Sequence, residues 1–200
     1  MRRTHIALAV AAAVLTPALV ITTPSLAAAA AATPTACQPP TDTFVVTTPV
    51  DEMSDDDVRI TILRIIGDPS TGRAVKAAAQ EAMDGTIEDQ RNFLTTDRWP
   101  AQAEDDAVAV ATTIGYAVRY HYRAVYREAD EALDGSPAVW RAFLQTGCRL
   151  AQFEDDRVAI AGMLADPTIS PAVRAAADQI LIAGTPETAR YFLEHGQFEV

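Results

Sequence analysis

The feature that most constrains this chain is a pattern that returns three times at a spacing of about fifty residues. Ala82-Met83-Asp84-Gly85-Thr86, with Arg91, Phe93 and Leu94 behind it, comes back as Ala132-Leu133-Asp134-Gly135-Ser136 with Arg141, Phe143 and Leu144. It returns again as Gly184-Thr185-Pro186 with Arg190, Phe192 and Leu193. An acidic step travels with it: Asp56-Asp57-Val58, then Asp105-Asp106 before Val108, then Asp155-Asp156 before Val158. Self-similarity at a fixed period describes copies of one small unit, none able to cover its own apolar face, which bury a core by packing on one another.

Inside each unit the apolar residues fall at helical spacing. A first helix, starting at an Asp, carries Val58, Ile62, Ile65 and Ile66, then Ala107, Val110, Ala111 and Ile114, then Val158, Ala161 and Leu164. A second carries smaller residues: Val75, Ala78, Ala79 and Ala82, then Val125, Ala129 and Ala132, then Val173, Ala176, Ala177 and Ile180. Gly85, Gly135 and Gly184 suit a left-handed residue that stops this helix, and Thr86, Ser136 and Thr185 suit the N-cap of the next. Pro137 and Pro186 then fit a first helical turn. A third helix buries Phe93 and Leu94, then Trp140, Phe143 and Leu144, then Ala189, Phe192 and Leu193. The expected fold is all-α: three tandem units of about three helices each, at about 55–104, 105–154 and 155–200, stacked as a helical array or short solenoid.

Taken together, the Ala-Leu-Asp-Gly-Ser/Thr-Pro, Arg-x-Phe-Leu and Asp-Asp-Arg-Val elements resemble the ALF repeat, a short repeat of unknown function in secreted bacterial proteins. The third unit carries the resemblance best, in Asp155-Asp156-Arg157-Val158, Pro171 to Ala177, and Gly184 to Gln197. The resemblance implies a secreted, all-helical protein and supplies no catalytic residues. Three departures stand out. Gln90 lies where the other units have Trp140 and Ala189, the third unit has one extra residue before Gly184, and the second lacks a Pro/Gly break between its first two helices.

Outside the repeats, Arg2 and Arg3 precede an apolar stretch from Ile6 to Ile21 and an Ala-rich exit, the pattern of a secretory signal peptide over residues 1–30. Pro17 and Pro24 interrupt a stretch already short of the ~20 apolar residues of a membrane span, so no stable span is expected after processing. Residues 31–54 are rich in Thr and Pro and read as an arm, with Phe44-Val45-Val46 as a short extended segment against the first repeat. Cys37 and Cys148 are the only cysteines, and in an oxidising compartment they read as one disulfide. A bridge between chains, or a lipid on Cys37, is the alternative.

The formal charge of −11 becomes −13 on loss of Arg2 and Arg3, which argues against nucleic acid, whose binding rests on basic groups neutralising phosphates. Among the 16 basic residues Lys76 is the single lysine, a compositional mark of high-GC bacterial coding. The acidic clusters at Asp55 to Asp57, Glu104 to Asp106 and Glu154 to Asp156 are either helix caps or a carboxylate pair for hydrolysis or calcium. Recurrence in every copy favours caps. Arg91, Arg141 and Arg190 recur at one site, either pairing with a carboxylate near the corner or forming a ladder for an anionic ligand.

His121 and His195 stand without metal-ligand spacing, and no nucleophile elbow, phosphate loop or zinc-protease motif is present, so no cofactor is expected. Tyr116 to Arg127 is the irregular stretch. As one continuous helix with Val118, Val125 and Ala129 inward, it places Tyr116, Arg119, Tyr120, Arg123 and Arg127 together on the outer face, with Tyr122 and Tyr126 nearer the core edge. That cation-aromatic group suits an anionic or sugar-containing partner, or is a solvated stripe. The functional expectation is a secreted, non-catalytic binding or scaffold module whose partner is an extracellular protein or cell-envelope component. A secreted carboxylate-dependent hydrolase is the alternative.

Overall fold

A computed structural model describes residues 35–200, so the expected export segment lies outside the described residues. Among the described residues there are helices and turns and no strand. The α-helices are α1 (Asp55–Gly67), α2 (Arg73–Asp84), α3 (Ile87–Asn92), α4 (Arg98–Tyr120), α5 (Arg123–Leu133), α6 (Pro137–Ala142), α7 (Cys148–Leu164), α8 (Pro171–Ala183) and α9 (Pro186–Glu194). The π turns Phe93–Asp97 and Phe143–Gly147 join α3 to α4 and α6 to α7 without leaving helical geometry. Residues 87–120 and 137–164 are therefore two continuous rods.

This fusion corrects the expectation of three separate helices per unit. The third helix of one unit is the first helix of the next, and the boundaries drawn at 104 and 154 fall inside rods. A π turn adds a residue to the helical turn, and at 3.6 residues per turn that rotates the face by about 100°. The same rod thus buries Phe93 and Leu94 in one core and Val110 and Ala117 in another. Three apolar clusters result. One holds Val58, Ile62, Ile65, Val75, Ala79 and Phe93. The next holds Val110, Val125, Ala129, Phe143 and Leu144, and the last Ile160, Ala177, Ala189, Phe192 and Leu193.

The corners are tight for a different reason than left-handed glycine. Gly85 has φ −91° and Gly184 φ −71°, and no described glycine has positive φ. A Cβ on Gly85 would stand 2.7 Å from Asp89 Oδ2, and one on Gly184 would overlap the Ile180 carbonyl. Close approach, not backbone hand, is what these positions require. Thr86 and Thr185 cap as expected, each with reciprocal hydrogen bonds to Asp89 or Thr188, whereas Ser136 makes no side-chain cap.

The expected arm is a strap packed along the helices. Ala36 is fully buried in the middle cluster, and its N–H donates to Gln152 Oε1 at 3.1 Å. Cys37 and Cys148 are bonded, with Cα atoms 5.7 Å apart. Further on, Asp42 meets Arg98 through two hydrogen bonds, Nε to Oδ2 at 2.6 Å and Nη2 to Oδ1 at 2.7 Å, with both side chains at 2% exposure or less. Asp42 takes φ +46°, a conformation that Asp tolerates better than most residues. Phe44 and Val46 then pack on the first cluster while Val45 faces out, the alternation of extended chain. Finally Arg91 donates to the carbonyls of Val50 at 2.6 Å and Met53 at 2.8 Å.

The two anchors occupy corresponding places. Arg98 and Cys148 are each the first α-helical residue after a π turn, and Gln102 and Gln152, one turn on, each hydrogen-bond the strap backbone. Asp42→Asn keeps a residue that accepts positive φ but strands the buried Arg98 charge, and should cost about 3–5 kcal/mol in urea unfolding under non-reducing conditions. Breaking the disulfide in Cys37→Ser/Cys148→Ser should cost about 2–5 kcal/mol in the same assay, since it closes a 111-residue separation.

Candidate functional site

The recurrent carboxylates bind helix ends across unit boundaries. Asp105 sits mid-rod in α4, and its two oxygens accept from the N–H groups of Ala74 at 2.9 Å and Val75 at 3.0 Å, the first turn of α2. Asp155 in α7 does the same for Ala124 and Val125 at the start of α5, both at 3.0 Å. Each acid caps the second helix of the preceding unit, not the start of its own. Gly72 is required beside this bond, because a Cβ there would overlap the Asp105 carboxylate.

Their neighbours hold the recurrent arginines. Asp106 pairs with Arg141 Nε at 2.8 Å and accepts from Thr41 Oγ1 at 2.7 Å, and Asp156 pairs with Arg190 while accepting from Gln152 Nε2 at 3.1 Å. Burial pushes the Asp156 carboxyl up to about 6, against the opposing pull of Arg190 and Gln152. Asp106 is raised too, again chiefly by burial. In the first unit Val58 takes the place of these buried acids, and Arg91 turns to exposed Asp55 at 2.9 Å and to the strap carbonyls. The arginines thus stand in separate pairs rather than as an open ladder.

Burial also resets the register of the first helices. Ile60, Val108 and Val158 are all exposed, whereas Ile62, Val110 and Ile160 are all fully buried. The true equivalents of Asp155 and Asp156 are therefore Asp57 and Val58, one residue from the pairing of Asp56-Asp57 with Asp155-Asp156 suggested by the Asp-Asp-Val text. The stripe Val158, Ala161 and Leu164 is corrected accordingly: Val158 is 72% exposed, Ala161 is exposed, and Asp156 and Ile160 face the core. Ile62 to Val75 and Ile160 to Val173 each span 13 positions, and Val110 to Val125 spans 15. Those two extra residues lie in the irregular stretch.

There the chain departs from a continuous helix. His121, at φ +60°, ends α4 in the left-handed conformation, and α5 starts at Arg123. The break that the sequence lacked as Pro or Gly is supplied by a histidine. Rotating the chain at this point corrects three expectations: Tyr122 is buried, Val118 is 57% exposed and Tyr126 faces out. Val125 and Ala129 are buried. In the first and third units the matching corners are Asp-Pro turns, closed by Ser70 N–H to Asp68 and by Thr168 N–H to Asp166, both at 2.8 Å.

On the α4–α5 corner Tyr116 and Tyr120 stack with centroids 6.2 Å apart and planes 10° from parallel, and the Arg119 guanidinium lies 5.8 Å from the Tyr120 ring. Arg123 is exposed at the first turn of α5. Arg127 belongs elsewhere, tied to Glu128 at 3.0 Å and Glu154 at 3.1 Å. The structure thus gathers Tyr116, Arg119 and Tyr120, places Arg123 across the bend, and removes Arg127 from the group. A separate groove of about 840 Å³ runs between strap residues Phe44 to Val50 and the rod that carries Leu94, Trp99 and Gln102. Sequence reasoning missed it because the strap's seat on Arg98 has no periodic signature. Among the described residues no group of three or more His, Cys, Asp or Glu side chains could hold a metal ion.

Residues 59–98 and 157–199 match the model of the ALF family, described as short repeats of unknown function. These two segments are similar to ALF repeats. The two matched segments begin 98 residues apart, the same offset that separates Ile62 from Ile160 and Val75 from Val173. The middle unit expected from the sequence is not matched as an ALF repeat, and it is the one whose corner is rebuilt around His121. No curated protein matches the chain. Among the described residues no helix is long and apolar enough to cross a membrane.

Asp105→Ala should cost about 1–2 kcal/mol through loss of the cap, and Gly72→Ala should also destabilise. In the double variant the collision disappears, so the two costs should sum to less than their separate values in urea unfolding. Asp156 holds its proton to higher pH folded than unfolded. Its contribution to stability is complete below about 3.8 and is lost as pH rises through about 6. Carboxyl NMR should place its midpoint near 6, and Asp156→Asn should remove that segment of the stability-versus-pH slope.

Proposed function

We propose that this ALF-repeat protein is an exported, non-catalytic binding module in which three helical units, the middle one diverged, form a short array braced by the strap. One observation carries the reading: Asp105, Asp106, Asp155 and Asp156, the acids best placed by recurrence to do chemistry, are each engaged by helix N–H groups or by an arginine. The α4–α5 corner departs from the repeat and offers cations with no such engagement. Export is supported by the Arg-led apolar segment at residues 2–21 and by a disulfide that suits an oxidising compartment. An acidic chain with one lysine favours a partner outside nucleic acid, in the extracellular space or the cell envelope.

N-terminal sequencing of protein recovered from the medium should begin within the alanine run, near residue 31. Retention inside the cell with Met1 in place would overturn the export reading. Immobilised protein should capture material from envelopes or medium and return it unchanged in mass. Material returned shortened, with the shortening abolished in a folded Asp105→Asn or Asp155→Asn variant, would establish the carboxylate-dependent hydrolase instead.

A further inference from the structure

We propose that the α4–α5 corner binds an anionic polysaccharide, with the Tyr116–Tyr120 pair as the platform for sugar rings and Arg119 and Arg123 meeting its acidic substituents. The proposal rests on the reading of this corner as a binding face, and it names the ligand. Charge complementarity is the first argument. In a chain of net charge −11, seven arginines are in ion pairs with carboxylates, Arg127 among them, whereas Arg119 and Arg123 are exposed and take part in none among the described residues. Arg123 occupies the first turn of α5, as Arg73 does in α2, and Asp155 caps the free N–H groups there, so the guanidinium is left exposed rather than drawn into the cap.

The second argument is shape. Tyr120 is half-buried against the middle cluster and its ring lies 6.0 Å from that of buried Tyr122, so the outer Tyr116–Tyr120 stack is held from beneath. Rigid aromatic faces receive the C–H face of a pyranose, and a planar guanidinium beside them forms paired hydrogen bonds to a carboxylate or a phosphate. A polyanionic peptide would use the arginines and leave the rings idle, and a neutral glycan would do the reverse. Only a ligand with both features uses the whole surface. Its rebuilt corner lies in the segment that does not match the ALF model, whereas the corresponding turns at Asp68 and Asp166 are closed by their own hydrogen bonds.

The test is affinity electrophoresis of the exported protein, disulfide intact, through gels containing polygalacturonate, dextran or poly-L-glutamate. Polygalacturonate should retard it, more so at low salt, while dextran and poly-L-glutamate should not. Arg119→Gln/Arg123→Gln should weaken retardation at least about tenfold, and Tyr116→Ala about fivefold. Arg64→Gln/Arg73→Gln removes the same charge from exposed sites elsewhere and should change it by less than about twofold. Equal retardation by poly-L-glutamate, an equal loss in the Arg64/Arg73 control, or no retardation by polygalacturonate would each overturn the proposal. So would preferential binding to anionic phospholipid vesicles. If polygalacturonate fails while capture of envelope material persists, the ligand class falls and the binding-module reading stands; if both fail, both fall.

Discussion

The arrangement of this protein depends on a guanidinium taken out of water. Arg98 is almost wholly buried, and its charge is met by Asp42, a residue of the strap and not of the helices. Such a pair costs desolvation, and removing either partner leaves a buried charge without its hydrogen-bonded counterion. The strap must therefore lie where it does for the rod 87–120 to pack as it does. The disulfide repeats that logic one rod later with a covalent bond, at the residue equivalent to Arg98. Between these anchors Thr41 bridges to Asp106 and to Arg141, so the six residues from Cys37 to Asp42 also hold one of the recurrent acid-arginine pairs. A segment without secondary structure is as firmly tied as the helices beneath it.

Much of this was legible in the sequence and some was not, for identifiable reasons. Helix content, the small-residue faces of α2 and α5, the Thr86 and Thr185 caps and the burial of the three Phe-Leu pairs all follow from local rules and are present in the structure. Errors came where two readings of one residue type compete. Asp105 and Asp155 look like helix starts because acids favour that place, yet they serve another helix's start thirty residues upstream, which no local window contains. The Asp-Asp-Val text misaligned the first unit because Val58 fills a core position that its counterparts give to Asp106 and Asp156. The π turns have no periodic signature of their own, and the weak helix formers inside them, Thr95, Thr96, Thr146 and Gly147, do not break the rods. Of the candidate surface, Tyr116, Arg119 and Tyr120 were found together, and the break at His121 was missed because histidine is not a residue from which left-handed geometry is inferred.

The ionic groups divide by burial into two kinds of work. Asp106 and Asp156 are raised by their surroundings and stand in tension with them, while Asp68, Asp89 and Asp166 are lowered by hydrogen bonds from their own turns. The first kind joins elements far apart in sequence, and the second only shapes corners. The α4–α5 corner belongs to neither, and it joins exposed cations to a stacked tyrosine pair.

Sharing rods between neighbouring cores also limits how such a chain can change length over evolutionary time. A single insertion inside residues 87–120 or 137–164 would turn everything after it by a third of a revolution and misdirect two cores at once. Insertions are tolerated at the bends instead, as the two extra residues before Tyr122 and the one before Gly184 attest. Growth or shrinkage of the body must then proceed by whole periods, with both breakpoints at matching phases of a rod. Duplication, not gradual elongation, is the route by which an architecture of this kind acquires new members.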